Sequence, residues 1–142
     1  VSRYLDASVI LPTLVDGPDS AAIDAFIIAN LDQLVISDFA AAEVAAALSR
    51  LVLLGEMDAH DAAERMADFD AWRAEATDAV EVHASDVRLS NVLVRRFDLM
   101  LRAPDALHAA ICRRTGDDLV TLDARMAKAA VDLGIKVVVP GK

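Results

Sequence analysis

Four acidic residues occupy places where a carboxylate could do chemistry. Asp6 interrupts the apolar run RYLDASVIL, Glu43 lies among alanines in DFAAAEVAAALSR, Asp105 opens LRAPDALHAAI, and Asp123 closes LVTLD. An ionised carboxylate in an apolar setting is costly unless something compensates it, and Arg3 is the only cation near Asp6 in sequence. Taken singly, the other three have ordinary structural readings. Glu43 reads as a solvated helix residue, Asp105 as a first-turn acid favoured by the helix dipole, and Asp123 as a helix N-cap. Three or four carboxylates converging on one edge would repel one another and raise their pKa values, and a divalent cation would resolve the conflict. Mg²⁺ and Mn²⁺ prefer oxygen ligands and retain several waters. Either can grip a phosphate and activate a bound water. The compensating partner expected for Asp6 is therefore a metal ion.

Other catalytic chemistries find less support. His60, His83 and His108 lie in separate segments. His108 follows Asp105 by three positions on the same helix side and reads as a packed core histidine. No cysteine or second histidine has the spacing of a zinc site. Cys112 stands alone, which excludes an internal disulfide, suits a reducing cytosol and reads as a small buried hydrophobe. No Ser or Cys sits in a recognisable nucleophile elbow or triad.

The elements that must position these acids alternate along the chain. Strands are expected at RYLDA, QLVISD, VEVH, DLVTLD and KVVVP. Between them fall helical patterns. SVILPTLV is short, with Pro12 near its start; the next begins in GPDS and runs to about Asn30. DFAAAEVAAALSRLVLLG takes Asp38 as N-cap and Gly55 as stop, and DAHDAAERMADFDAWRAEA follows. Then come SDVRLSNVLVRRF capped by Ser85, APDALHAAICRRTG with Pro104 in its first turn and Gly116 past its end, and ARMAKAAVDLG. Short β-branched strands alternating with helices predict a doubly wound α/β sandwich around a parallel sheet. Sites in such sheets form outside the carboxyl ends of the strands. If strands one and four are neighbours, Asp6 and Asp123 share an edge.

The bulk properties set bounds. A chain of 142 residues fits one domain, residues 1–142, with 56% apolar content inflated by alanine and only 4% aromatics. No apolar run approaches a membrane span, and no signal-like leader opens the chain, so a cytoplasmic protein without membrane attachment is expected. The net charge of −9 argues against simple polyanion binding, but it is uneven. Residues 1–87 carry 4 Lys+Arg and 17 Asp+Glu, whereas residues 88–142 carry 10 and 6. A basic second half can meet a nucleic acid on one face.

Four segments in order, YLDASVIL, SDFAAAEVAAAL, PDALHAA and LVTLDARMAKAA, resemble the PIN-domain ribonucleases, and most closely the VapC-type toxins of bacterial toxin–antitoxin pairs. The resemblance spans nearly the whole chain and implies a PIN-like three-layer sandwich with a parallel sheet in the order 3-2-1-4-5. It implies Asp6, Glu43, Asp105 and Asp123 as catalytic, metal-holding acids, with Ser8 and Thr121 as supporting hydroxyls and no catalytic role for His108. Hydrolysis of RNA phosphodiester bonds with Mg²⁺ or Mn²⁺, through a metal-activated water, would follow. So would a cognate antitoxin whose tail covers the acids, where an inserted Arg or Lys would replace the metal's charge. The high apolar fraction, with Met66, Phe69 and Trp72, gives two alternatives: an apolar antitoxin helix laid along residues 20–75, or packing of these residues against the sheet. A homodimer is also implied. Rival readings are weaker. A haloacid-dehalogenase-type phosphatase needs a second Asp where Ser8 stands, and its late motif is matched only by GDD at 116–118, which reads as a turn. A receiver domain would want an acidic pair and a lysine that Lys136 and Lys142 do not supply. A PIN-like fold used only for binding would not need all four acids.

Overall fold

The computed structural model describes residues 1–142. Its centre is a five-stranded, wholly parallel sheet in the order β3-β2-β1-β4-β5, formed by β1 (Arg3–Leu5), β2 (Leu34–Ser37), β3 (Asp78–Val80), β4 (Asp118–Val120) and β5 (Val137–Val138). Seven α-helices connect the strands: α1 (Ala7–Leu14), α2 (Ser20–Ala29), α3 (Asp38–Leu53), α4 (Ala59–Ala76), α5 (Ala84–Val94), α6 (Ala103–Thr115) and α7 (Ala124–Asp132). A 3-10 turn at Phe97–Leu99, not expected from sequence, precedes α6. No helix is long and apolar enough to cross a membrane.

Strand alternation divides the core. Side chains on a strand point to opposite faces in turn. Tyr4, Val35 and Leu119 join Leu93, Ile111 and Met126 on the face covered by α5, α6 and α7. Leu5, Leu34, Ile36 and Val120 join Val9, Ile23, Val44 and Phe69 on the face covered by α1 to α4. The expected three-layer sandwich and sheet order are thus present. Phe69 is buried, while Met66 and Trp72 are partly buried and pack against its cluster.

The strands are shorter than their apolar runs, because helices begin as soon as a cap is available. Asp6 ends β1 and caps α1, accepting a hydrogen bond from the Val9 backbone N–H at 3.3 Å. Pro12 lies in the second half of that helix rather than near its start. Ser37, not Asp38, caps α3, its Oγ accepting from the Ala40 N–H at 3.1 Å. Asp38 instead pairs with Arg73 at 2.8 Å. His83, not Ser85, is the N-cap of α5, and the Asp86 carboxylate accepts from its N–H at 2.8 Å. The third strand is Asp78–Val80 rather than VEVH, because backbone pairing with Val35–Ser37 sets an exposed edge strand that needs no apolar pattern. Gly116 terminates α6 in the left-handed conformation (φ 77°), so GDD is a helix stop followed by the first residue of β4.

Candidate active site

The strand order reverses at β1, which pairs with β2 on one side and β4 on the other. Crevices at such switch points are the natural sites of open α/β sheets. Asp6 lies there, only 4% exposed. Its Oδ1 accepts a hydrogen bond from Ser8 Oγ at 2.5 Å and its Oδ2 one from Thr121 Oγ1 at 2.5 Å. Both hydroxyls are themselves held. Ser8 Oγ accepts from the Leu122 N–H at 2.9 Å, and Thr121 Oγ1 accepts from the Asp123 N–H at 3.1 Å. The start of α1 is thereby fastened to the loop between β4 and α7. Arg3 is not the compensating cation, since it pairs with Asp118. Burial pushes the Asp6 carboxyl above its ordinary pKa, against the pull of Ser8, Thr121 and His108.

Glu43 rises from the second turn of α3 and meets His108 of α6, whose Nε2 is hydrogen-bonded to Glu43 Oε1. His108 is 2% exposed. Its Nδ1 lies 2.6 Å from the Tyr4 hydroxyl, which lies 2.8 Å from Ser37 Oγ. Tautomers are assigned from such networks. In this network Nε2 donates to Glu43, and the Tyr4 hydroxyl links Nδ1 to Ser37 Oγ. The core-histidine reading of His108 holds, and the residue also fixes a site acid. Ser37 and Tyr4 were not singled out from sequence. The available signal was the single tyrosine of YLD on a strand facing the helix that carries a histidine.

Asp105 is the third residue of α6, and its carboxylate lies 3.9 Å from Arg102 Nε. Burial and then the charge of Asp123 raise its pKa, while Arg102 and His108 oppose the rise. Asp123 caps α7, with Oδ1 accepting from the Arg125 N–H at 3.0 Å and the Met126 N–H at 3.1 Å. The N-cap reading of Asp123 therefore holds alongside its place near Asp105.

The four acids share one electrostatic neighbourhood. Asp123 acts on Asp105, and His108 acts on both Asp105 and Asp6. Each nevertheless keeps its own local partner, and no three acidic, histidine or cysteine side chains are gathered tightly enough to hold a metal ion. The tight cluster expected from sequence is therefore a looser set. Its donor chemistry still suits a hard cation. Every donor is a carboxylate oxygen, a carboxylate oxygen carries two lone pairs, and Asp123 and Glu43 each engage only one of their oxygens within the protein.

The fold and this edge define a parallel α/β sandwich with acids at its topological switch. The chain belongs to the PIN domain family, whose model matches residues 3–132. No curated protein sequence matches it. Among solved structures, a chain of VapBC2 from Rickettsia felis, bound to a promoter DNA fragment, aligns with TM-score 0.74 at 12% identity, covering 99% of each chain. VapC20 from Mycobacterium tuberculosis, described as a sarcin–ricin-loop-cleaving toxin, aligns with TM-score 0.73 at 17% identity, covering 90% of this chain and 95% of that one. A toxin–antitoxin complex from Klebsiella pneumoniae aligns with TM-score 0.63 at 16% identity, covering 86% and 87%. At these identities the likeness concerns the fold.

Proposed function

We propose that this chain is a Mg²⁺- or Mn²⁺-dependent endoribonuclease, the toxin of a toxin–antitoxin pair acting in the cytosol. The observation that carries the reading is Asp6, a buried carboxylate at the switch point of a PIN fold that is held by two hydroxyls and paired with no Lys or Arg. Asp6, Glu43, Asp105 and Asp123 would hold the ion. When bound, it supplies a Lewis acid for a phosphodiester oxygen and lowers the pKa of an attacking water. The chain's own residues prepare that site. Ser8 and Thr121 fix both oxygens of Asp6, so its orientation does not depend on a ligand. His108, held by Tyr4, fixes Glu43. Asp105 and Asp123 repel each other, and a bound cation would relieve that repulsion.

A toxin also needs restraint, and a structural relative is a toxin–antitoxin complex. The proposed antitoxin inserts an arginine or lysine among the acids, where its charge substitutes for the cation. Arginine suits two carboxylates because its planar fork can bridge them. Its apolar helix would lie along α2 and α4, where a cavity of about 240 Å³ is lined by Leu14, Ile27, Phe69 and Trp72. A homodimer is part of the same proposal.

Incubating the purified chain with single-stranded RNA tests the reading. Cleavage should require Mg²⁺ or Mn²⁺, stop with a chelator and be absent in Asp105→Asn. Cleavage that survives full chelation, or persists in Asp105→Asn, would overturn it.

A further inference from the structure

Between α5 and α6 the chain reverses its charge. Residues 87–104 hold four arginines (Arg88, Arg95, Arg96 and Arg102) and a single acid, Asp98, in a chain of net charge −9. All four arginines are exposed, and Asp98 is taken up by Arg96 at 3.1 Å. In their midst Phe97 is 86% exposed, the most exposed large apolar side chain in the molecule, with Met100 at 65% close by. The turn itself is not loose. Leu99 and Leu101 are buried in the core cluster, and Met100 between them takes a left-handed backbone (φ 55°), which is uncommon for a residue other than glycine. The segment is thus anchored by two leucines while its aromatic ring points to solvent. It also leads into the acidic edge, since Arg102 is the N-cap of α6 and stands 3.9 Å from Asp105.

We infer that Phe97, with Arg95, Arg96 and Arg102, forms the platform on which single-stranded RNA lies as it reaches the acidic edge. Phe97 stacks on an unpaired base and the arginines meet the flanking phosphates. The inference rests on the nuclease reading and gives it a substrate-positioning surface. An exposed aromatic among arginines is the chemistry by which unpaired nucleotides are held, because every base has a face to stack and every linkage a charge to neutralise. Charge complementarity favours this occupant over a second copy of the chain. A two-fold contact through this patch would set the same arginines against themselves. A polyanion gains from them, and they offset the repulsion of a chain of net charge −9.

The test uses the full chain without metal, so that RNA is bound and not cut. Fluorescence anisotropy of a short unstructured RNA should show Phe97→Ala binding roughly 5- to 100-fold more weakly than the parent. Phe97→Trp should bind as the parent does, because it stacks, whereas Phe97→Leu should behave like alanine, because it is apolar and cannot stack. Arg95→Ala with Arg96→Ala should weaken binding and flatten its salt dependence by about 0.7 log unit for each phosphate no longer neutralised. Light scattering should give one mass for all variants. RNA binding unchanged in Phe97→Ala, or retained in Phe97→Leu, overturns the inference. A mass change in Phe97→Ala would make the patch a self-interface, and loss of antitoxin binding with RNA binding intact would make it a protein site. If the parent chain neither binds nor cuts RNA, the nuclease reading falls first. If the parent cuts RNA and the Phe97 and arginine variants match it, only this inference falls.

Discussion

Replacing His108 with alanine probes the link between the core and the acidic edge. The ring is 2% exposed and has two polar partners, the Tyr4 hydroxyl at Nδ1 and Glu43 at Nε2. Tyr4 would keep Ser37 at 2.8 Å, so its loss falls toward the low end of the ~1–3 kcal/mol for an impaired buried polar group. The ring also stacks edge-on against Tyr4 at 5.5 Å and tilted against Phe39 at 5.3 Å, and each such contact is worth about 0.5–1.5 kcal/mol beyond burial. Together these give a loss of about 3 kcal/mol. For 142 residues at ~2.1 cal/mol/K each, the unfolding entropy is about 0.3 kcal/mol/K, and Tm should drop by about 10 °C. Circular-dichroism melts and urea titrations measure this directly. Because His108 orients Glu43, Mn²⁺ affinity should also fall by about 10- to 100-fold, as it does when outer partners of metal-holding groups are removed. A double-mutant cycle with Glu43→Gln should show that the two changes are not additive. A stability loss below about 1 kcal/mol would refute the value given to the Tyr4 and Phe39 contacts, and strict additivity with Glu43→Gln would refute the claim that His108 holds Glu43 in place.

The Asp6→Asn variant should lack cleavage and, without metal at pH 7, melt no lower than the parent. Burial raises the folded-state pKa of Asp6 above the ordinary 3.8. The folded state therefore binds its proton more tightly than the unfolded one, and the parent loses stability as pH rises from about 3.8 through the folded value. The advantage of Asn should shrink as pH falls toward that range, Mn²⁺ should raise the Tm of the parent but not of Asp6→Asn, and a markedly lower metal-free Tm in Asp6→Asn would assign the carboxylate a structural role. Arg114→Met tests a pair remote from chemistry. Burial pushes Asp86 up, but hydrogen bonds from Arg114 at 2.8 and 2.9 Å and from the His83 N–H at 2.8 Å outweigh it and lower its pKa. That stability is present above about pH 3.8 and lost as pH falls through the lower folded value. The variant should lose about 1–2 kcal/mol at pH 7, because Asp86 is buried but the Arg114 side chain is partly in water, with the gap from the parent narrowing in acid, and no measurable loss would show the pair to be solvent-compensated.

The sequence by itself determined the alternation of strands and helices, because β-branched runs and helix formers are local properties. It also placed three of the four acids at element boundaries, since Asp6 and Asp123 follow apolar runs and Asp105 follows a proline that starts a helix. The 3-2-1-4-5 order was legible only through resemblance, because nothing local in RYL or DLV names its neighbour. Boundaries were the weak point. Asp38 and Ser85 are good caps in isolation, yet Ser37 and His83 occupy those positions because the sheet decides where each chain segment leaves it. Tertiary structure alone decided what compensates Asp6. Ser8 is two residues away, but Thr121 is brought in by the pairing of β1 with β4. It alone joined Ser37, Tyr4, His108 and Glu43, drawn from β2, β1, α6 and α3, into one hydrogen-bonded chain. Periodicity reports which face a residue occupies. Which polar atoms meet across that face depends on strand order and helix packing, and those are set by burial summed over the whole molecule rather than by any segment of it.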